Sequence, residues 1–295
     1  MQKIVLNLRF EKNIEEAVNF YVSLFKGSKI TYTARYGKSG AEVSGIAEWK
    51  ILTIDFELAG QEFTAINGGP YMSFTPATSF FVNCESEEEI DALRAKLSDG
   101  WVVMMPYQQY PFSQKFGRVS DKYGVSRQVS LAPAKQKITP FMMFIWDKAG
   151  KVEEAVNFYT QLFPNSKTDL IARYEEWDGD KVGLIKHAKF TLDGYQFGAL
   201  ESTYAHQFAM NWAISFLVNC KDQQEIDKYR NALLEGWQAQ QCGRLVDKYG
   251  VTWQIIPEIL GELMTKKDPA KVEKVMQAML KMVKLDVEAL RRAGE

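Results

Sequence analysis

Apolar and polar residues alternate with period two where Leu52, Ile54, Phe56 and Leu58 are set against Thr53, Asp55 and Glu57. That spacing predicts a strand with one apolar face. Ala59-Gly60 then turns the chain into QEFTAI, which completes a hairpin. Elsewhere the period is helical. Ile14, Ala17, Val18, Tyr21, Leu24 and Phe25 share one face, Asn13 with Glu16 marks the start, and Gly27 supplies a stop. A second helix begins at Ser86, with Glu89 in capping-box spacing, and presents Ile90, Leu93 and Leu97 for burial. Asp-Lys-Tyr-Gly at 121–124 makes a further turn before VSRQV. The predicted order is strand, helix, several strands, then strand, helix and strands again.

The whole pattern occurs twice. EEAVNFY at 15–21 recurs at 153–159, and ARY at 34–36 recurs at 172–174. SFFVNC at 79–84 returns as SFLVNC at 215–220, and EIDALRAKLSDGW at 89–101 returns as EIDKYRNALLEGW at 225–237. GRVSDKYGVSRQV at 117–129 returns as GRLVDKYGVTWQI at 243–255. Five blocks in one order establish a tandem duplication. The boundary falls in the polar segment PAKQK, so the reading is an α+β chain of paired β-α-β-β-β modules forming curved, barrel-like sheets. Its domains are 1–134 and 135–257, followed by a helical tail at 258–295. The first copy carries an insertion, VVMMPYQQYPF at 102–112, where the second has only QAQQC.

Composition narrows the classes of function. A formal net charge of -1 provides no field to gather nucleic acid or an anionic membrane. No apolar run approaches the roughly 18 residues of a spanning helix. The opening MQKIVLNLRF reads as a strand rather than a signal peptide, and three cysteines make no disulfide framework. These features point to a cytoplasmic protein.

AVNFY on the first helix and DKYG-V-S/T-x-Q on the last hairpin, present in both copies from about residue 3 to 257, resemble the PhnB-like branch of the glyoxalase/bleomycin-resistance (vicinal oxygen chelate) superfamily. The second copy, with CGRLVDKYGVTWQIIP, is the closer match. The first departs at Arg127, where the second has Trp253, and at its insertion. Some relatives carry a ubiquinone-methyltransferase name, but no Gly-rich loop between strand and helix offers a nucleotide-like cofactor a seat. The resemblance also implies metal ligands of the His, Glu or Gln type on particular strands, holding an ion that acts as a Lewis acid. Here the first strands VLNLRF and TPFMMF supply none, and Ala77 and Ala213 stand where a metal-binding relative has His. Asn67 and Glu201 occupy the fourth-strand position, with Gln128 and Gln254 on the last strand. Glu201 with Gln254 makes a poor site when catalytic ions usually hold three protein ligands. No metal and no cofactor are expected.

The remaining candidates each have a plainer reading. His187 shares strand phase with Lys189, Thr191 and Asp193, facing solvent or the pocket. His206 follows the fourth strand with no adjacent carboxylate. Cys84 and Cys220 occupy equivalent packing sites, and Cys242 lacks a local His or basic cluster that would activate it. Glu15-Glu16 and Glu153-Glu154 suit the first turn of a helix. Among the aromatics, Tyr107, Tyr110 and Trp177 lie on segments expected to rim the barrel mouth. In the tail, Asp268-Pro269 opens a helix whose Val272, Val275, Met276, Met279, Leu280 and Val283 line one face. That face packs on the protein itself or serves a partner.

The favoured function is metal-free binding of a small molecule in the second copy's aromatic-lined concave sheet. Glu201, Gln254, Trp253, His206 and Trp177 are its candidate residues, with Asn67 and Gln128 as the first-copy equivalents. A divalent-metal lyase, isomerase or dioxygenase is the alternative, and an interaction scaffold working through the tail is a third. Relatives with one copy usually dimerise through their sheets, so the fused copies are expected to form a pseudo-dimer within one chain, or else a homodimer.

Overall fold

A computed structural model describes residues 2–97, 99–235, 238–265 and 268–295. The first copy contains β1 (Ile4–Phe10), α1 (Ile14–Leu24), β2 (Lys29–Arg35), α2 (Lys38–Ser44), β3 (Ile51–Leu58) and β4 (Gln61–Asn67). It continues with β5 (Thr78–Cys84), α3 (Glu87–Leu97), β6 (Val102–Tyr110), β7 (Ser113–Ser120) and β8 (Ser126–Leu131). The second copy contains β9 (Ile138–Ile145), α4 (Val152–Leu162), β10 (Lys167–Arg173), β11 (Ile185–Leu192) and β12 (Tyr195–Ser202). Then come β13 (Ile214–Cys220), α5 (Gln223–Leu234), β14 (Gln238–Ala239), β15 (Arg244–Val246) and β16 (Thr252–Pro257). The tail forms α6 (Glu258–Met264), α7 (Pro269–Leu280) and α8 (Val287–Ala293). Among the described residues it is therefore three short helices. The apolar face read from Val272 to Val283 is interrupted after Leu280, where the chain turns and leaves Val283 exposed.

The mixed α+β architecture and the duplicated modules are as the sequence predicts, but the compact units are not the sequence copies. One sheet runs β14-β15-β16-β13-β1-β4-β3-β2 and the other β10-β11-β12-β9-β5-β8-β7-β6. Each takes one half from each copy. Unit 1 comprises Met1–Ser23, Gly27–Met72 and Trp212–Glu295; unit 2 comprises Leu24–Lys26 and Ser73–Asn211. The seams are antiparallel pairs between copies, β1 with β13 and β5 with β9. Boundaries at 134 and 135 describe the repeat, while the folded units exchange halves. The physical reason is that near-identical modules present near-identical strand edges, so local patterning does not say which copy supplies a strand's neighbour.

In both sheets one face is apolar and lies under helices. In unit 1 it carries Leu8, Phe10, Phe63, Phe216, Leu245 and Trp253, all 3% exposed or less. Here α5 packs on β13, β15 and β16, and the Tyr21 ring of α1 lies 6.3 Å from Phe10. In unit 2, α3 packs on β5 and β8, and α4 on β10, β11 and β12. Phe56–Phe63 and Phe190–Phe197 stack at matching places, 5.5 and 5.7 Å apart. Ser86 caps α3 as expected, with Glu89 N donating to Ser86 Oγ, while Glu89 Oε2 reaches back to Glu85 N, one residue before the cap, instead of closing the box on Ser86 N. The other face of each sheet is the more polar one, and in unit 1 the tail packs against it through Ile256, in phase with Gln254, and through the Tyr32 OH bond to Met264 O.

The tail belongs to unit 1. Leu260, Leu263, Val275, Leu285 and Leu290 form their own buried cluster. Asp268 caps α7, as its sequence predicts, through Ala270 N and Lys271 N. Glu273 accepts from Ser39 N and from the Ser39 hydroxyl near α2. At the far side of the sheet, Cys242 N and Gly243 N donate to Met282 O and Val283 O. The tail's apolar residues are thus largely consumed inside its own unit.

Candidate functional site

The DKYG turns decide the role of Trp253. Asp247 Oδ1 accepts from Tyr249 N and Val251 N, and its Oδ2 accepts from Trp253 Nε1 at 2.8 Å. Asp121 does the same for Tyr123 N and Val125 N, with Arg127 Nε at 2.9 Å in the place of the indole. Both partners are buried to within 2% of full burial. The pair Arg127/Trp253 is therefore two solutions to one turn, and Trp253 braces the apolar face of its sheet instead of lining a pocket.

Glu201 is committed in a similar way. Its Oε1 accepts from Val152 N at 2.8 Å, at the start of α4, and its Oε2 from Ile185 N at 2.7 Å, at the start of β11. With 2% exposure and both oxygens occupied, it ties a helix to two strands. Asn67, its counterpart, donates to Ile51 O at 3.1 Å. Gln128 Nε2 donates to Ser79 Oγ at 2.8 Å and Gln254 Nε2 to Ser215 Oγ at 2.7 Å. His206 meets Ser202 Oγ at 3.0 Å and the Phe208 ring at 4.9 Å. Trp177 is 79% exposed on its loop. The candidates are divided between the units: Asn67, Trp253 and Gln254 belong to unit 1, and Gln128, Trp177, Glu201 and His206 to unit 2.

The insertion also divides. It forms the β6–β7 hairpin, in which Tyr110, Phe112 and Phe116 cluster, with Phe81 6.1 Å from Phe116. Tyr107 turns the other way. It lies against Trp101 and beneath the Arg94 guanidinium of α3, across Gly117, which has no Cβ to obstruct the ring. A crevice of about 470 Å³ opens instead between the starts of α5 and α8, lined by Lys221, Asp222, Asp286, Glu288 and Arg291. Its two aspartates are already spent as helix caps.

Further polar residues lie on the face of unit 1 that the tail approaches, where Tyr32, in the cross-strand row of Asp55, Thr64 and Asn7, donates to Met264 O of α6. Asn7 stands opposite Ser215 and beside Thr64, and Arg9 lies two residues on. Gln254 stands opposite Arg244. The result is a polar row, Arg9–Asn7–Ser215–Gln254–Arg244. Asn7 is 4% exposed and makes no side-chain hydrogen bond among the described residues. Arg9 donates through Nη2 to Gly68 O, and its side chain lies where a Cβ on that glycine would be. The Arg9 and Arg244 guanidiniums lie 5.2 and 5.1 Å from the Trp212 ring. Each has a buried Nε without a partner. Burial and the neighbouring Arg9 charge pull Arg244 down to about 10, and burial lowers Arg9 as well. The signal was present in IVLNLRF, where two polar residues share strand phase.

In unit 2 the same row reads Met143–Phe141–Ser79–Gln128–Arg118. The register is fixed by Arg9 N and Met143 N, which both donate at 2.8 Å, to Ala213 O and Ala77 O. Here Arg118 donates to Pro76 O at 2.6 Å and Ser126 Oγ at 3.2 Å. Phe141 covers Gly198 and lies 5.2 Å from His187, whose burial holds it down at about 4.

The donor set does not fit the superfamily's metal ion. Ala77 and Ala213 offer nothing, both Glu201 oxygens already accept backbone hydrogen bonds, and Gln128 and Gln254 contribute only one neutral amide oxygen apiece. Among the described residues no three His, Cys, Asp or Glu side chains converge. The cysteines show no activation either: burial pushes Cys84 and Cys220 up to about 12 and raises Cys242. No helix among the described residues is long and apolar enough to cross a membrane.

A family model described as 3-demethylubiquinone-9 3-methyltransferase matches residues 2–130 and again 136–256. No curated protein matches. Among solved structures, the chain is similar to a PhnB protein from Bacillus cereus at 46% identity, over 44% of this chain and 100% of that one, with a TM-score of 0.41. Glyoxalase I from Zea mays is similar over 89% of this chain and 95% of its own, at 11% identity and a TM-score of 0.55, which carries the fold. The chain belongs, in two tandem copies, to the PhnB-like family whose model bears the 3-demethylubiquinone-9 3-methyltransferase description.

Proposed function

We propose that this chain binds a small molecule without a metal ion, and that the binding surface is the polar row of unit 1. The observation that carries the reading is Asn7, buried to 4% exposure with no side-chain hydrogen bond among the described residues. A buried polar group without a partner costs about 1–3 kcal/mol. A ligand that supplies the partner offsets that cost, and Ser215, Gln254 and Thr64 surround the same point with further donors and acceptors. Trp212 supplies the flat apolar surface such sites commonly use. Gln254 is the member of the second-copy candidate set that remains in this proposal; Glu201 and Trp253 are structural. The exchange of halves suits a pseudo-dimer folded from one chain, with the two rows diverged.

The test is equilibrium binding of a panel of small aromatic acids and amides, including benzoate and benzamide, to the full chain. A panel member should bind, should lose at least tenfold in affinity with Asn7→Ala and Gln254→Ala combined, and should be unaffected by Gln128→Ala. Binding that survives the double substitution, or no binding by any member, overturns the reading.

A further inference from the structure

Two guanidiniums on one face need explaining. Arg9 and Arg244 both lie about 5 Å from the Trp212 ring. Neither forms an ion pair among the described residues, although the molecule pairs Lys3, Arg127, Arg173 and Lys186 with carboxylates. Arg244 makes no side-chain hydrogen bond among the described residues, and Arg9 makes one, to Gly68 O. Two like charges at half-buried positions repel each other and forgo hydration. A structural arginine in this fold looks different. Arg118, at the place matching Arg244, has two hydrogen bonds and an apolar residue, Met143, where unit 1 has Arg9.

We propose that Arg9 and Arg244 form an anion clamp beside Trp212, taking the carboxylate or phosphate oxygens of the small molecule that unit 1 binds. This rests on the binding surface proposed above and names the ligand's chemical class. Guanidinium forks match the planar geometry of oxyanions and stack readily on aromatic faces. The ligand's negative charge would offset one or both of the two positive charges, according to whether it is a carboxylate or a phosphoryl dianion, while Asn7 and Gln254 hold its neutral part. Gly68 is a positioning residue: without a side chain it lets Arg9 lie against the backbone.

The experiment compares benzoate, benzamide and inorganic phosphate on the full chain, by calorimetric titration at low ionic strength. The anion clamp requires that benzoate or phosphate bind at least tenfold more tightly than benzamide. It also requires that Arg9→Met and Arg244→Gln each weaken that anion at least tenfold and weaken benzamide by a smaller factor. Phosphate binding without benzoate would assign the clamp to a phosphoryl group; the reverse would assign it to a carboxylate. Gly68→Ala, which alters no charge, should weaken the anion through displacement of Arg9. In ligand-free, low-salt buffer Arg9→Met should melt no lower than the parent, since it removes one of two repelling charges. Equal affinity for benzamide and benzoate, or anion binding untouched by both arginine substitutions, overturns the clamp but leaves the binding surface standing. If no probe binds, both fall.

Discussion

The two units are built from the same modules and differ in how they use one row of five side chains. Unit 2 fills its row with Phe141 and Met143 and satisfies Arg118 with Pro76 O and Ser126. Unit 1 places Asn7 and Arg9 at the matching positions, puts Trp212 where unit 2 has Pro76, and leaves Arg244 unpaired among the described residues. Duplication has kept the backbone register and the Gln–Ser contact in both. What changed is the number of polar groups without a partner, which is small in the row of unit 2 and concentrated in that of unit 1. A closed row stabilises a sheet; an open row holds capacity for something else.

The largest effect is expected at the DKYG turns, where the units differ in the kind of partner. Asp121→Ala deprives the buried Arg127 of its carboxylate, and breaking such a pair typically costs about 3–5 kcal/mol. Asp247→Ala removes a hydrogen bond from a neutral indole and should cost less, about 1–3 kcal/mol for that donor. Both substitutions also free two backbone N–H groups, so the difference isolates the charge. Urea denaturation of each variant measures it. Equal midpoints would mean that the two turns are energetically interchangeable.

His187 gives unit 2 a pH dependence that unit 1, with Thr53 at the equivalent place, does not share. Its folded value of about 4 lies below the ordinary 6.5, because burial disfavours the charged ring and Lys189 repels it. The unfolded chain therefore binds a proton between these values while the folded chain does not. Stability is fully present above pH 6.5, falls as the pH drops towards 4, and then levels off. The loss from this group reaches about 3 kcal/mol at 1.36 kcal/mol per unit. Melting curves from pH 7 to 4 should show it, and His187→Thr should remove this component. An unchanged slope in that variant would place the ring in water.

Much of this architecture is legible in the sequence, and the failures are instructive. The period-two run at 52–58, the Ser86 cap and the Asp268 cap are all local, so a sequence window contains their causes. The exchange of halves between β1 and β13 depends on which of two similar edges a strand meets, and no window contains that. Glu201 and Trp253 are conspicuous as residue types, yet each is consumed by contacts 49 and 6 residues away. Asn7 and Arg9 are visible as polar interruptions of IVLNLRF, but a search for metal-ligand types passes over both. Their importance depends on Ser215, Arg244 and Trp212, which the fold brings from the other copy.

The smallest stability effect is the most discriminating between the units. Gln128 is 9% exposed and holds Ser79, itself 1% exposed, so Gln128→Ala should cost about 1 kcal/mol through the hydroxyl it leaves behind. Gln254 is less buried, and water can replace part of its bond to Ser215, so Gln254→Ala should cost less than that. Ligand affinity should rank the other way, with Gln254→Ala harmful and Gln128→Ala silent. Thermal melts and benzoate titrations on the two single variants give both rankings from the same samples. An inverted order of stability and affinity is what a structural row and a binding row predict when they descend from one module. If the two orders agree, both glutamines are braces, and the asymmetry between the rows lies in Arg9 and Asn7 alone.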